Sequence, residues 1–462
     1  MTDQVSIAKS DPTTKMKKMQ PPSGGEQPPE RWLTLALIGI TFTGTVLIDI
    51  CSPPVTTFTL SLVYIVIFSV LKLYAREHDS VDREATKPRE SEFTQPMVSI
   101  VVPAHNEELL LATTIKSILN LDYPDFELLV VNDRSTDQTE AVLQSIKAAG
   151  DPRFRFITRG SENRPGKAAC INDALKHTSG KLIAVFDADT QVAPDFLTSA
   201  VTYFANPLVG AVQGKKSLIN GDKNLITRCQ KNEYFMDHHF QSTRDNIRCA
   251  VELRGNGMVL RRTAVEELGG LNENSLAEDL DLSTRMHITG WDIRFAQDAI
   301  LAEEAPESLK ALFKQRLRWT EGCIVRYLEN ARKILPHKKL SLRTKLDASL
   351  FILEFIGTFW LLIENAVLVI RWLSGNWVPQ PLLVAAPAMT ILCLYFIYAS
   401  FAGIYRAENG NLGKAIQGTI MVYCYLSLLF VPLVFLLMFK FLKNPSRDLT
   451  WFKPPRYGAA FK

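Results

Sequence analysis

Apolar residues fall into two regimes along this 462-residue chain. Near both ends they run on at a length that can cross a bilayer core as a helix, roughly 20 residues. These runs are Trp32–Ile50, Val55–Tyr74, Leu346–Leu373, Leu382–Tyr405 and Ala415–Leu442. Between Ala75 and Lys345 no such run occurs, and short apolar stretches alternate with amphipathic ones in the manner of an α/β sheet. The pattern predicts strands in MVSIVVPAHN, FELLVVND, RFRFITR, KLIAVFDAD, VGAVQGKKSL and MVLRR. It predicts helices over 107–119, over 136–149 and from Lys167 onward. Functional groups gather at the carboxyl ends of such strands, and Asn106, Asp133 and Asp187 fall there.

Charge orients the spans. Lys9, Lys15, Lys17 and Lys18 place the N-terminal tail in the cytoplasm, and Arg76, Arg83, Lys87 and Arg89 return the chain there after two spans. The expected organisation is a disordered, proline-rich tail over 1–31, two transmembrane helices over 32–74 and a linker over 75–96. A catalytic α/β domain over 97–306 and an interfacial amphipathic helix with its linker over 307–345 come next. C-terminal transmembrane helices over 346–442 and a basic tail over 443–462 complete it. Three C-terminal spans would put that tail outside, whereas Lys440, Lys443, Arg447, Lys453, Arg456 and Lys462 argue for inside. Leu346–Leu373, which holds Glu354 and Glu364, is the candidate for an interfacial segment, and the sequence is compatible with four spans or with five.

Composition narrows the class. With 47% hydrophobic residues and a net charge of only +4, the chain is no nucleic-acid binder. Seven scattered cysteines without a CxxC pair suit a reducing compartment, and offer neither a zinc site nor a disulfide framework. The start shows no signal peptide.

Three strings carry the candidate chemistry. In FDAD, Asp187 and Asp189 stand one residue apart at a strand end and can share a Mg²⁺ or Mn²⁺; the plainer alternative is a capped turn. In AEDLD, one acid can serve as a general base, with Asp279 the choice, or both can simply favour the helix N-terminus. In QRLRW, Gln315, Arg318 and Trp319 share one helix face, able to bind a diphosphate and stack on an acceptor; the alternative is an interfacial anchor. Asp133 can bond a base or ribose and Lys167 a phosphate, while Asp137 reads as a helix N-cap. Arg254-Gly-Asn-Gly257 lacks the full dinucleotide fingerprint, but Asn256 and Gly257 would let backbone approach a sugar. His238 and His239 have no partner at metal-ligand spacing and read as helix surface or core.

PAHNEE, VNDRSTD, FDAD, AEDLD and QRLRW, in this order, resemble the family 2 glycosyltransferases of GT-A fold over residues 97–335. With the flanking spans, the resemblance extends to membrane synthases of cellulose, chitin, hyaluronan and poly-N-acetylglucosamine. It implies a Rossmann-like α/β cytoplasmic GT-A domain joined to α-helical transmembrane spans in an integral protein of the inner or plasma membrane. It further implies Asp133 at the uridine, Lys167 at the donor, Asp187 and Asp189 at metal and diphosphate, and Asp279 as base. Gln315, Arg318 and Trp319 would line the acceptor and diphosphate site. Trp451, Lys453 and Arg456 resemble a segment that closes over the donor. VFDADTQVAPD, ELRGNGMVLRR, GWDI and QRLRWTEG are more specifically similar to cyanobacterial β-monoglucosyldiacylglycerol synthases, although AEDLD replaces their doubly aspartic version. The implied reaction is inverting transfer of a hexose from a UDP-sugar, UDP-glucose favoured, to diacylglycerol. The alternative is a processive β-glycan synthase with a growing glycan as acceptor, served by its own spans or by an accessory membrane subunit.

Overall fold

The computed structural model describes residues 95–334 and 397–443, with positions 337, 340, 342, 344, 345, 347 and 373–375 between them. The expected spans over 32–74, most of 346–396, and Trp451, Lys453 and Arg456 lie outside the described residues.

Eight strands form one mixed sheet in the order β3-β2-β1-β4-β7-β6-β8-β5. They are β1 Val98–Ala104, β2 Phe126–Asp133, β3 Phe154–Arg159, β4 Leu182–Val185, β5 Gln191–Val192, β6 Val209–Leu218, β7 Met258–Arg261 and β8 Asp292–Glu303. β1 pairs in parallel with both β2 and β4, so the winding reverses between β1 and β4. A crevice forms at such a reversal, beyond the carboxyl ends of the strands. β7 then pairs antiparallel to β4 and β6, which carries its short strand back along the crevice.

The central strands are continuous apolar runs because both faces are covered. Side chains alternate between two cores: Val98, Ile100 and Val102 enter one, with Leu128 and Val130. Val101, Leu129, Val131, Ile183 and Val185 enter the other. The first core is covered by α1 (Leu111–Leu119), α2 (Thr139–Ala148) and α4 (Phe196–Val201). The second is covered by α3 (Lys167–Leu175), α6 (Arg262–Glu267) and α7 (Glu278–Thr289).

The expected helix over 107–119 begins four residues late, because 107–110 form a turn before Leu111. The N-cap of α2 is Gln138 rather than Asp137. Asp137 still satisfies one orphan amide, its Oδ1 accepting from the Thr139 N–H at 3.0 Å.

Two longer helices, α5 (Leu225–Asn246) and α8 (Leu309–Ile334), flank the crevice, and a third, α9 (Leu412–Lys443), packs on both. A capping box starts α5: Asn224 Oδ1 accepts from Thr227 N–H and Thr227 Oγ1 from Asn224 N–H. α8 matches the expected amphipathic helix. Within α9, Leu412–Val434 is long and apolar enough to cross a membrane, as no other helix among the described residues is. It packs on α5 and α8 through small clusters, one of Met236, Ile404 and Val422, another of Leu312, Leu429 and Leu433.

Candidate active site

The turn after β4 presents Asp187 and Asp189, and one buried side chain holds that turn. Asn256 Oδ1 accepts from the Asp187 N–H at 3.1 Å and from Thr190 Oγ1 at 3.0 Å. Asn256 Nδ2 in turn donates to Glu303 Oε2 at 2.7 Å. Asn256 is therefore a structural clamp on the acidic turn, and reaches it because β7 pairs beside β4. Gly257, next along, has φ +69, a left-handed conformation that favours glycine, and a Cβ there would crowd the Leu301 side chain of β8.

Three side chains from distant parts of the chain meet around Gly255. Lys167, the first residue of α3, donates from Nζ to the Gly255 carbonyl at 2.7 Å and also to Asp187 Oδ1. A Cβ on Gly255, whose φ is +75, would lie 3.0 Å from Asp279 Oδ2 and 3.6 Å from Lys167 Nζ. Burial pulls the Lys167 pKa down, but the carboxylates of Asp187, Glu278 and Asp279 together outweigh it and raise the pKa, so the ammonium stays charged.

These residues line a cavity of about 460 Å³ at the carboxyl end of the sheet. Asp187, Asp189 and Lys167 form one side, Glu278 and Asp279 a second, and Gln315, Arg318 and Trp319 of α8 a third. The acids open α7, where the helix N-terminus favours negative charge. Glu278 nevertheless has its pKa raised to about 6, by burial first and by the Asp279 charge second, against Lys167 and Arg318. On α8, the buried Gln315 Oε1 and Arg318 Nε have no hydrogen-bond partner among the described residues. Such atoms are costly to leave unmet, which fits a wall that a polar ligand completes.

Asp133 lies apart from this group. Its carboxylate is fully buried and does not line the cavity. It accepts from Arg134 at 2.9 and 3.1 Å, from Arg159 Nη1 at 2.9 Å and from the Gly166 N–H at 3.1 Å. Burial pushes its pKa up, but these partners outweigh it and hold it below the usual carboxylate range. Asn106 stitches the two mouth loops instead, with Oδ1 accepting from Thr136 N–H at 2.7 Å.

The acidic turn fits a divalent ion in part. Among the described residues no group of three or more His, Cys, Asp or Glu side chains could hold one alone. Asp187 and Asp189 supply hard oxygen ligands of the kind Mg²⁺ and Mn²⁺ take, and a nucleotide's diphosphate would complete the set.

Sequence reasoning overlooked the contribution of α5. Glu233, Tyr234, Asp237 and His238 all line the cavity. His238 is thus a wall of the site, with Nε2 against the Lys216 carbonyl at 2.7 Å, and burial pushes its pKa down to about 4. Tyr234 donates to Glu303, which also pairs with Lys216 Nζ at 2.9 Å. The available signal was a 22-residue helix carrying charges but no apolar stripe, which is stable only if those charges find partners.

Residues 96–322 match the family model described as "Glycosyltransferase like family 2". A β-monoglucosyldiacylglycerol synthase of Nostoc sp. is 38% identical over 267 residues, 57% of this chain and 57% of that protein. The chain thus spans little more than half the length of that relative. A probable glycosyltransferase of Bacillus subtilis is 28% identical over 417 residues, 87% of this chain and 97% of its own. The fold is shared with a solved mannosyltransferase from Pyrobaculum calidifontis in complex with GDP-Man and Mn²⁺. That match has TM-score 0.51 and 21% identity, and covers 85% of this chain and 99% of the other.

Proposed function

We propose, from the premise that residues 96–322 of this chain belong to glycosyltransferase family 2, that it is an inverting membrane hexosyltransferase. It takes a hexose from a UDP-sugar, UDP-glucose favoured, and places it on the hydroxyl of a membrane lipid, diacylglycerol favoured, through a β-glycosidic bond. The meeting of Lys167, Asp187 and Asp279 around Gly255, in a cavity walled by Gln315, Arg318 and Trp319, carries this reading. Similarity to the cyanobacterial synthase supports the choice of lipid and sugar.

The residues divide the work by charge. Asp279 takes the proton from the acceptor hydroxyl as its oxygen attacks the anomeric carbon. The bond from that carbon to the diphosphate breaks on the opposite face, its electron pair leaves with UDP, and the configuration inverts. Lys167 and Arg318 hold the negative charge that develops on the departing diphosphate. A Mg²⁺ or Mn²⁺ held by Asp187 and Asp189 would supply further neutralisation of that diphosphate. Asp133 contacts the uridine once Arg134, exposed over 28% of its side chain, yields its place. Trp319 stacks on the acceptor. The membrane location rests on the apolar helix Leu412–Val434 together with the flanking apolar runs of the sequence.

The test incubates the full chain in detergent with radiolabelled UDP-glucose, Mg²⁺ and diacylglycerol, then partitions the products. Label in the organic phase as one discrete lipid is the expected result. Label in an aqueous high-mass fraction would replace this reading with a processive β-glycan synthase.

A further inference from the structure

The edge of the cavity nearest α9 holds a chain of contacts that the proposed chemistry does not use. Arg316 follows Gln315 on α8 and is 92% buried, with 8% of its surface exposed. Its Nη2 donates to Glu233 Oε2 on α5 at 2.6 Å. Tyr425 of α9 donates from its hydroxyl to the same oxygen at 3.2 Å. On its other side the Arg316 guanidinium lies 4.3 Å from the centre of the Trp319 ring. One carboxylate thus links the apolar helix to the aromatic ring of the acceptor wall.

We propose that Glu233 and Tyr425 are positioning residues, holding Arg316 over the Trp319 ring so that the seating of the apolar helix α9 sets the acceptor subsite. The inference rests on the glycosyltransferase reading, since it needs Trp319 to meet an acceptor. An arginine side chain has many rotamers, and a planar guanidinium packs on an indole only if something fixes it there. The Glu233 ion pair supplies that constraint where little water screens it, with side-chain exposures of 10% for Arg316 and 18% for Glu233. Tyr425 is itself fixed. It packs with Leu312, Leu429 and Leu433, the cluster through which α9 meets α8. A shift of α9 therefore moves the Tyr425 hydroxyl, loosens Glu233, and frees Arg316 from the ring that receives the acceptor.

The test measures KM for diacylglycerol and for UDP-glucose separately in the full chain and in Glu233→Gln, Tyr425→Phe and the double variant. Loss of one charge-assisted hydrogen bond raises the acceptor KM about tenfold in Glu233→Gln, and loss of the weaker hydroxyl contact about threefold in Tyr425→Phe. The donor KM stays within about twofold in both, by the same arithmetic. The double variant falls short of the sum of the two single effects, because Glu233 and Tyr425 hold the same guanidinium. Additive effects, equal shifts in both KM values, or no shift would overturn the proposal. Should Glu233→Gln fail to fold, Arg316→Lys, which keeps the charge and loses the plane, must show the same selective rise; its absence overturns the proposal too. An unmutated chain that transfers no sugar would instead overturn the reading beneath it.

Discussion

Gly255 gives Asp279 its room: a methyl group on Gly255 would stand 3.0 Å from Asp279 Oδ2. The same backbone anchors Lys167 through the Gly255 carbonyl at 2.7 Å. One glycine thus sets the spacing between the proposed base and the cation nearest the leaving group.

Gly255→Ala should accordingly damage the site more than the fold. The residue has φ +75, and an L side chain there costs about 1–2 kcal/mol. The crowding falls on Asp279 and Lys167, so kcat should drop about tenfold or more, the cost of misplacing a catalytic group. Urea denaturation and initial rates measured side by side check both parts.

Asn256→Ala should loosen the acidic turn. It strips the Asp187 amide and Glu303 of a partner each, which costs about 1–3 kcal/mol for every buried group left unmet. Transfer should fall while the divalent-ion concentration needed for half-maximal rate rises. An unchanged metal requirement would show that Asn256 does not hold the turn.

Glu278 predicts a pH signature. Its pKa is raised from 4.5 to about 6, by burial first and then by Asp279. A carboxyl raised on folding favours the fold below its unfolded value and loses that contribution as pH climbs through the folded one. Glu278→Gln, always neutral, should therefore gain melting temperature over the unmutated chain between pH 4.5 and about 6 and keep the gain above. A difference that is flat with pH would show that Glu278 is not shifted.

Chelation should abolish transfer, and Mn²⁺ or Mg²⁺ should restore it. In Asp189→Asn, with one of two hard ligands weakened, restoration should need about tenfold more metal or greater. Transfer that persists in excess chelator would remove the metal from the account.

The sequence made the sheet legible because its strands are buried on both faces, so Val98–Ala104 and Leu182–Val185 read as unbroken apolar runs. Local spacing also picked out the acids at the strand ends and the α8 triplet as candidates, and the order of the strings supplied their proposed roles. What the sequence hid depends on pairings between distant residues. α5 carries Glu233, Asp237 and Arg244 inward, and its partners Arg316, Arg254 and Asp347 lie elsewhere in the chain. No periodicity announces such a helix. Glu252 pairs with Arg326 at 2.7 Å across 74 positions of sequence, again without a local sign. Asp133 shows the opposite limit: its place at a strand end was legible, but the arginines that occupy it were not.

The most direct measurement compares Asp279→Asn with the unmutated chain, following UDP-glucose binding by calorimetry and sugar transfer to diacylglycerol by product partition. The change keeps shape and removes the basic carboxylate. The account predicts donor affinity within about threefold and transfer reduced by about 10²–10⁴, the usual worth of a general base. Transfer at an undiminished rate would contradict it, and the base would have to be sought elsewhere in the cavity.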